Sequence, residues 1–143
     1  MLRGEFEDAG ARTPESLQRA YESTLAEIVE AVGVEDTVAE TGIERATVDA
    51  LVAGESPTLE LTDAAAILAL DEDRPPADAI AAEARDILLM GMTTAVLDVE
   101  TLASGVDGEL EPKEIQQKIE GRFPMTVAEF ALLHQFIAQR KGD

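Results

Sequence analysis

The chain has 143 residues, of which 30 are Asp or Glu and 11 are Lys or Arg, so its formal net charge is −19. This length fits one compact domain, and the charge argues against a surface that attracts polyanions over its whole extent. The chain contains no cysteine and is 45% hydrophobic, which excludes disulfides and zinc–thiolate sites and separates it from acidic disordered chains.

The predicted elements, taken in chain order, are all helices. A helix start is predicted at Thr13 and Pro14, because a hydroxyl N-cap followed by proline favours the first turn, and Gly33 supplies the stop. Pro76 is placed to open a long helical segment, with an interruption or a kink expected near Gly91. Beyond the first helix, the predicted segments are residues 36–41, 44–53, 62–70, 77–103, 112–120 and 126–140. No segment alternates with period two, so the predicted fold class is all-α, a compact multi-helix domain.

These helices predict one domain with an internal repeat. Residues 1–12 are expected to be a flexible N-terminus, and residues 13–143 a single helical domain. Two helix-turn-helix-like units are expected at about 36–70 and 109–140, joined by a helical segment over 76–104. The two units follow from aligning the chain with itself.

The repeat is visible as matching residues at a constant spacing. Four residues of the first unit recur 67 positions later in the second: Val48 as Ile115, Val52 as Ile119, Gly54 as Gly121 and Pro57 as Pro124. Three more recur 64 positions later: Thr62 as Thr126, Ala64 as Ala128 and Leu68 as Leu132. In each unit the glycine is expected to end the first helix in a left-handed turn, and the threonine to cap the second helix through its hydroxyl.

The second unit, EIQQKIEGRFPMTVAEFALLHQF, resembles the third and fourth helices of helix-turn-helix domains of the lambda-repressor/Cro type, and the first unit is similar to them as well. The first unit matches the spacing of that motif at four residues, Gly42, Ile43, Val48 and Leu51. It departs from the motif at Thr37 and Thr41, where the family has apolar residues, and Glu109 takes the place of the turn glycine in the second unit. The resemblance implies an all-α fold and a helix that can face DNA. The whole chain also resembles small acidic helical proteins of haloarchaea, which assigns no chemistry.

The second unit carries the better candidate for a DNA-facing helix. The first unit would turn Glu44 and Asp49 towards the phosphates, which repel carboxylates. The second presents the candidate nucleic-acid contacts Lys113, Gln116, Gln117, Lys118 and Arg122. Glutamine pairs with adenine, and lysine and arginine bind guanine or phosphate. Residues 1–110 hold 25 acidic and 6 basic side chains, whereas residues 111–143 hold five of each. The sequence therefore predicts a DNA-associated regulator, with a protein-interaction or scaffold module that does not bind DNA as the alternative.

No constellation of residues predicts catalysis. The sole histidine, His134, has no cysteine and no ordered carboxylate partner in the sequence, and we expect a structural role for it. Phosphate-binding glycine loops, the nucleophile elbow and the HExxH zinc motif do not occur. We therefore predict a non-enzymatic protein with no catalytic residues, no metal site and no cofactor.

The most apolar helical stretch, Ile87–Leu97, is expected to lie in the core, with a homodimer face as the alternative. The residues of that face are Ile87, Leu88, Met90, Met92 and Leu97. The eleven uncharged residues of this stretch are too few to cross a bilayer, which needs about 20, and the N-terminus has no apolar signal-peptide core. The many carboxylates and few lysines favour a salt-adapted protein. We predict a cytoplasmic protein of a halophile without a membrane partner.

Overall fold

The structure, a computed structural model, describes residues 9–106 and 109–142 of the chain. Within them, eight α-helices follow a short 3-10 turn at Ala9–Ala11. The helices are α1 (Pro14–Val32), α2 (Val34–Thr41), α3 (Arg45–Val52), α4 (Leu61–Leu68), α5 (Ala77–Ala95), α6 (Val99–Gly105), α7 (Pro112–Ile119) and α8 (Val127–Gly142). The described residues form no β-strand beyond one isolated bridge between Glu60 and Thr126. The predicted all-α fold class is confirmed.

The first helix begins and ends where the sequence predicts. The hydroxyl of Thr13 accepts a hydrogen bond from the backbone N–H of Ser16 at 3.0 Å, and a proline occupies the first turn. At the other end, the backbone N–H of Gly33 donates to the carbonyl of Val29 at 2.7 Å. Between these caps lies a buried stripe of Leu17, Tyr21, Leu25 and Val29. Burial of each such side chain stabilises the fold by about 1.5–3 kcal/mol, so α1 is held mainly by this stripe.

The long helix predicted over 77–103 is two helices. α5 continues through Gly91 and ends before Val96, which adopts a left-handed backbone with φ of 55°. Asp98 then starts α6, because its side chain accepts a hydrogen bond from the backbone N–H of Thr101 at 2.8 Å. That hydrogen bond holds the pKa of the Asp98 carboxyl below its ordinary value. The break predicted near Gly91 lies instead at residues 96–98, because an aspartate N-cap, and not the glycine, marks the boundary.

Gly91 serves helix packing instead of a bend. A Cβ atom at this position would lie 2.6 Å from Cγ2 of Ile137 in α8, which is closer than real Cβ contacts come. Because protein interiors are packed as densely as organic crystals, a side chain here forces its neighbour to move. The glycine therefore allows α5 and α8 to approach each other closely.

The helices form two halves with the same arrangement, α1–α4 and α5–α8. In the first half α1 contacts α3 and α4, and it also contacts α8 of the second half. Correspondingly, α5 contacts α7 and α8, and it also contacts α4 of the first half. The turns after α3 and α7 each contain a left-handed glycine, with φ of 82° and 83°. The same backbone hydrogen bond of 2.9 Å closes both turns, from Glu55 to Ala50 and from Arg122 to Gln117.

The loops that precede α4 and α8 pair with each other at the centre of the fold. The backbone N–H of Leu61 donates to the carbonyl of Met125 at 2.7 Å, and the N–H of Val127 donates to the carbonyl of Leu59 at 2.8 Å. These reciprocal hydrogen bonds form the antiparallel bridge. The bridge places Glu60 opposite Thr126. In a two-fold arrangement, residues that lie opposite each other at the axis are equivalent, so Thr126 corresponds to Glu60 and Val127 corresponds to Leu61, in each case 66 positions later.

This pairing corrects one predicted correspondence. Thr126 caps α8 as expected, since its hydroxyl accepts a hydrogen bond from the backbone N–H of Glu129 at 3.1 Å. Thr62 is not the equivalent cap, because α4 begins at Leu61 and its N-cap position is Glu60. The predicted spacing of 64 was therefore wrong: the second loop is shorter by one residue, and not by three.

A cluster of three rings joins α1 to α8. The hydroxyl of Tyr21 lies 2.6 Å from Nδ1 of His134, within hydrogen-bonding distance. The fully buried ring of Phe130 packs against both, with centroids 5.7 Å from Tyr21 and 5.3 Å from His134. The sole histidine is half-buried and packs against these two buried rings.

The predicted domain limits stay a prediction, and the described helices can be placed beside them. Of the N-terminus predicted to be flexible, residues 1–8 lie outside the described residues, while Ala9–Ala11 pack against α8. The units predicted at 36–70 and 109–140 contain α2–α4 and α7–α8.

None of the helices in the described ranges has, by itself, the length and apolarity needed to cross a membrane. Taken together, α5 and α6 pass by length and composition, but they form a pair that is bent by 97°.

Candidate interaction surfaces

In the first helix-turn-helix-like unit, two threonine hydroxyls of α2 are hydrogen-bonded to backbone carbonyls. Gly42 ends α2 in a left-handed conformation with φ of 75°. Thr37 is fully buried, and its hydroxyl donates to the carbonyl of Gly33 at 2.8 Å. The hydroxyl of Thr41 donates to the carbonyl of Thr37 at 2.7 Å. The two threonines at apolar positions of the motif are thus satisfied within α2, and they cost the core no unpaired polar group.

The exposed face of α3 is acidic. Its only basic residue, Arg45, lies between two carboxylates, 3.9 Å from Glu35 and 3.9 Å from Asp49. Glu44 is exposed beside them. This face therefore carries a net negative charge, and the phosphate repulsion expected from the sequence applies to it.

The five predicted DNA contacts, which lie on α7 and in the turn after it, are not all exposed to solvent. Lys113 and Gln116 are exposed, whereas Gln117 is half-buried. The Arg122 side chain is 73% exposed, and its Nε lies 3.3 Å from a carboxylate oxygen of Glu120. The side-chain amide of Gln116 donates to the other oxygen of Glu120 at 3.3 Å. Two of the five predicted contacts therefore share one carboxylate.

Lys118, the fifth predicted contact, points into the protein. Its side chain is only 15% exposed and donates to Oε2 of Glu129. Oε1 of the same carboxylate accepts the backbone N–H of Thr126 at 2.9 Å, at the start of α8. A second carboxylate, that of Glu114, lies 4.0 Å from the Lys118 ammonium. Lys118 thus ties α7 to the first turn of α8, and its charge is already neutralised.

The predicted homodimer face is also divided by the structure. Leu88 is fully buried, because α5 turns the row of Ile80, Ala84, Leu88 and Gly91 towards the core. Met92 and Leu97 are half-buried and pack against that core. Ile87 is half-buried as well, and Met90 is the one member of the predicted face that is exposed, at 58%.

A different row of α5 faces outwards along the whole helix. We call it the α5 seam, and its residues, all exposed, are Ala79, Ala82, Asp86, Leu89 and Thr93 of α5 together with Val96, the C-cap residue directly after the helix. They alternate at spacings of three and four, the pattern of a coiled-coil seam. Leu89 is 45% exposed and Val96 is 90% exposed. The spacing of this row is visible in the sequence, but its exposure and the buried row beside it cannot be assigned without the fold.

The first half of the protein lacks an apolar row at the same place. α1 and α5 both have 19 residues and start 63 positions apart. The residues of α1 that match the seam are Ser16, Arg19, Ser23, Ala26, Glu30 and Gly33. The position of exposed Met90 is Glu27 in α1. The two halves thus share a fold but differ in the chemistry of this face.

A family model described as "Family of unknown function (DUF5791)" matches residues 17–140, and the chain belongs to that family. The match begins in α1 and ends in α8, so it covers both halves of the repeat. No curated protein and no solved structure matches the chain. Across the described residues, no group of three His, Asp or Glu side chains is placed to hold a metal ion.

Proposed function

We propose that this member of the DUF5791 family is a protein-interaction module that binds its partner through the α5 seam. The observation that carries the proposal is the difference between the two halves. At matching positions of one repeated fold, the second half exposes Leu89, Met90 and Val96, where the first half has Ala26, Glu27 and Gly33. The shared fold does not require these apolar side chains, so their exposure calls for a partner that covers them.

Covering the exposed apolar side chains of the α5 seam with a partner would lower the free energy of the protein in water. Burial of apolar surface is favourable by about 25 cal/mol per Å², and a contiguous apolar patch with a polar rim is typical of an interaction site. Val96 adds a second cost, since a β-branched residue rarely adopts positive φ. The matching residue in the first half is a glycine, which adopts positive φ readily. A contact made by the valine side chain offsets both costs.

The spacing of the seam indicates the shape of the partner. Residues that alternate at three and four positions form one continuous line along a helix, and such a line packs into the matching line of another helix. The α5 seam contains one charged residue, Asp86, among six positions. We infer that the partner presents a helix to α5.

Giving α5 the acidic residues that α1 has at two matching positions is expected to weaken capture of the partner strongly. The variant Met90→Glu with Thr93→Glu gives α5 the residues that α1 has at Glu27 and Glu30. We expect capture from an extract of the source cells, measured by quantitative mass spectrometry in multimolar KCl, to fall about tenfold or more. A buried carboxylate without a partner charge is strongly disfavoured, which is the reason for the loss.

The matched control adds the same charge elsewhere on the surface. Ala39→Glu with Ala46→Glu places two carboxylates on exposed positions of α2 and α3, and this variant is expected to capture the same protein as wild type. Equal capture by wild type and both variants contradicts the role of the seam. Multimolar KCl is used because the composition predicts adaptation to salt.

DNA association is the second candidate, and it rests on the predicted contacts of α7 and of the turn after it that stay exposed. Lys113, Gln116 and Arg122 are on the surface, whereas Lys118 is bound to Glu129. The triple variant Lys113→Ala, Gln116→Ala, Arg122→Ala is therefore expected to lose binding to genomic fragments in multimolar KCl without loss of stability. An electrophoretic or anisotropy assay that finds wild type unbound, or the variant equally bound, rejects this candidate.

A further inference from the structure

We propose that the helix that covers the α5 seam is the α5 of a second copy of this chain, packed antiparallel about a two-fold axis. This inference rests on the proposed function and names its partner. Two features of α5 carry it, namely two adjacent residues of opposite charge and the distribution of side-chain sizes along the seam, while the area of the seam limits how stable the dimer can be.

Arg85 and Asp86 are adjacent, opposite in charge and without an ion-pair partner in the part of the chain that the structure describes. The guanidinium of Arg85 lies against the backbone of Gly121, where a Cβ atom would be 3.4 Å from its Nε. That Nε is buried and has no hydrogen-bond partner. Asp86 is exposed in the seam. Neighbouring residues of a helix point about 100° apart, so these two side chains cannot pair with each other.

The first half satisfies the matching residue internally. Glu22 of α1 corresponds to Arg85, and its carboxylate accepts a hydrogen bond from the hydroxyl of Ser56 at 2.7 Å and another from the side-chain amide of Gln18 at 3.1 Å. The second half has Phe123 at the position of Ser56, and a phenyl ring neither donates nor accepts such a bond. The second half thus has no counterpart of the Ser56 hydrogen bond for Arg85, and a carboxylate of another chain is a group that could bond its guanidinium.

A second copy supplies that group when the two helices run antiparallel. With the two-fold axis between residues 87 and 88, the second copy's Asp86 lies level with Leu89 of the first copy. Arg85 is four residues away from that level, which is about 6 Å along the helix axis at a rise of 1.5 Å per residue. The long side chain of arginine spans this distance and forms bidentate bonds with a carboxylate. Symmetry makes two such ion pairs, and they offset the repulsion between the two Asp86 side chains near the axis.

The same axis matches large side chains to small ones. Position 79 of one copy then faces position 96 of the other, and position 82 faces position 93. The alanines at one end of the seam thus meet Val96 and Thr93 at the other end, while Leu89 packs beside the second copy's Asp86 stem. Two-fold interfaces require a surface that complements itself. The seam does so in side-chain size, and the charge opposite to Asp86 comes from Arg85, which lies beside the seam.

The area of the seam predicts a weak dimer. The 18 residues from Ala79 to Val96 extend about 27 Å, and a helix face about 10 Å wide offers roughly 270 Å² per copy. Stable interfaces bury about 800 Å² per partner. We therefore expect a weak dimer that forms only at high protein concentration, and we expect multimolar salt to favour the dimer because it screens the repulsion between two chains of charge −19.

Charge reversal tests the proposed ion pairs by sedimentation equilibrium at high protein concentration in multimolar KCl. Asp86→Lys places a lysine opposite the second copy's Arg85, and Arg85→Glu places a glutamate opposite the second copy's Asp86. Each variant alone is expected to dimerise about tenfold more weakly than wild type. An equimolar mixture of the two variants is expected to recover the dimer, because both pairs are then opposite in charge.

Circular dichroism verifies that Arg85→Glu is folded. If it is not, Asp86→Lys decides alone, since Asp86 is exposed and dimerisation unchanged by this variant overturns the proposal. A wild type that stays monomeric, or a mixture that does not associate, also overturns it. The proposed function fails separately, when the Met90→Glu, Thr93→Glu variant captures the same proteins as wild type.

Discussion

Replacing Phe130 with alanine is expected to lower the free energy of unfolding by about 3–5 kcal/mol, the usual cost of truncating a buried phenylalanine. Phe130 is fully buried, and its ring packs against Tyr21 of α1 and His134 of α8. The cavity would open at the contact between α1 and α8, two helices that belong to different halves of the repeat. Since domains of this size have a total stability of about 5–15 kcal/mol, this one change removes a large fraction of it.

Phe123→Ala provides the matched control, because it removes the same ring from a side chain that is 52% exposed. Its expected effect is within about 0.5 kcal/mol. Both variants are measured by urea unfolding followed by circular dichroism in multimolar KCl. A similar loss for the two variants would mean that the ring cluster is not part of the core.

Replacing Glu129 with alanine is expected to cost about 2 kcal/mol, although the residue is not in the hydrophobic core. One of its oxygens accepts the backbone N–H of Thr126, and the other accepts the ammonium of Lys118. The two side chains are 22% and 15% exposed. Removal of the carboxylate leaves Lys118 half-buried with only Glu114, at 4.0 Å, to balance its charge. A fully buried pair would cost more, and the remaining exposure is the reason for the smaller value.

A double-mutant cycle separates this pair from general destabilisation. The double variant Lys118→Met, Glu129→Ala is expected to be more stable than the sum of the two single changes implies, by about 1 kcal/mol, because no charge is left unpaired. Asp49→Ala removes a carboxylate from the exposed ion pair with Arg45 and is expected to change stability by less than about 0.5 kcal/mol. Additivity of the Lys118 and Glu129 changes would show that the two groups do not interact.

This pair also decides how the nucleic-acid hypothesis is tested. A variant that includes Lys118→Ala loses stability at the junction of α7 and α8, so a loss of DNA binding by such a variant has two explanations. The exposed residues Lys113, Gln116 and Arg122 can be changed without touching that junction. Only their substitution reports on contact with DNA.

The sequence by itself determined the local structure of the protein. Helix starts and stops depend on a few neighbouring residues, and so Thr13 and Gly33 marked the limits of α1 correctly. Helical periodicity excluded strands, and a self-alignment found the repeated helix–glycine–helix turn, whose hydrogen bonds the structure repeats at a spacing of 67. These features follow from contacts between residues that are close in sequence.

The tertiary structure decided what depends on distant contacts. Gly91 reads as a helix breaker in sequence but serves the approach of Ile137, and Lys118 reads as a surface cation but binds Glu129. The exposure of Leu89 and the burial of Leu88 are equally invisible in a run of adjacent apolar residues. Each outcome depends on which neighbour the fold brings to a side chain. A one-dimensional pattern gives the spacing of residues along a helix, whereas the packing of the other helices determines which face is covered and which is left for a partner.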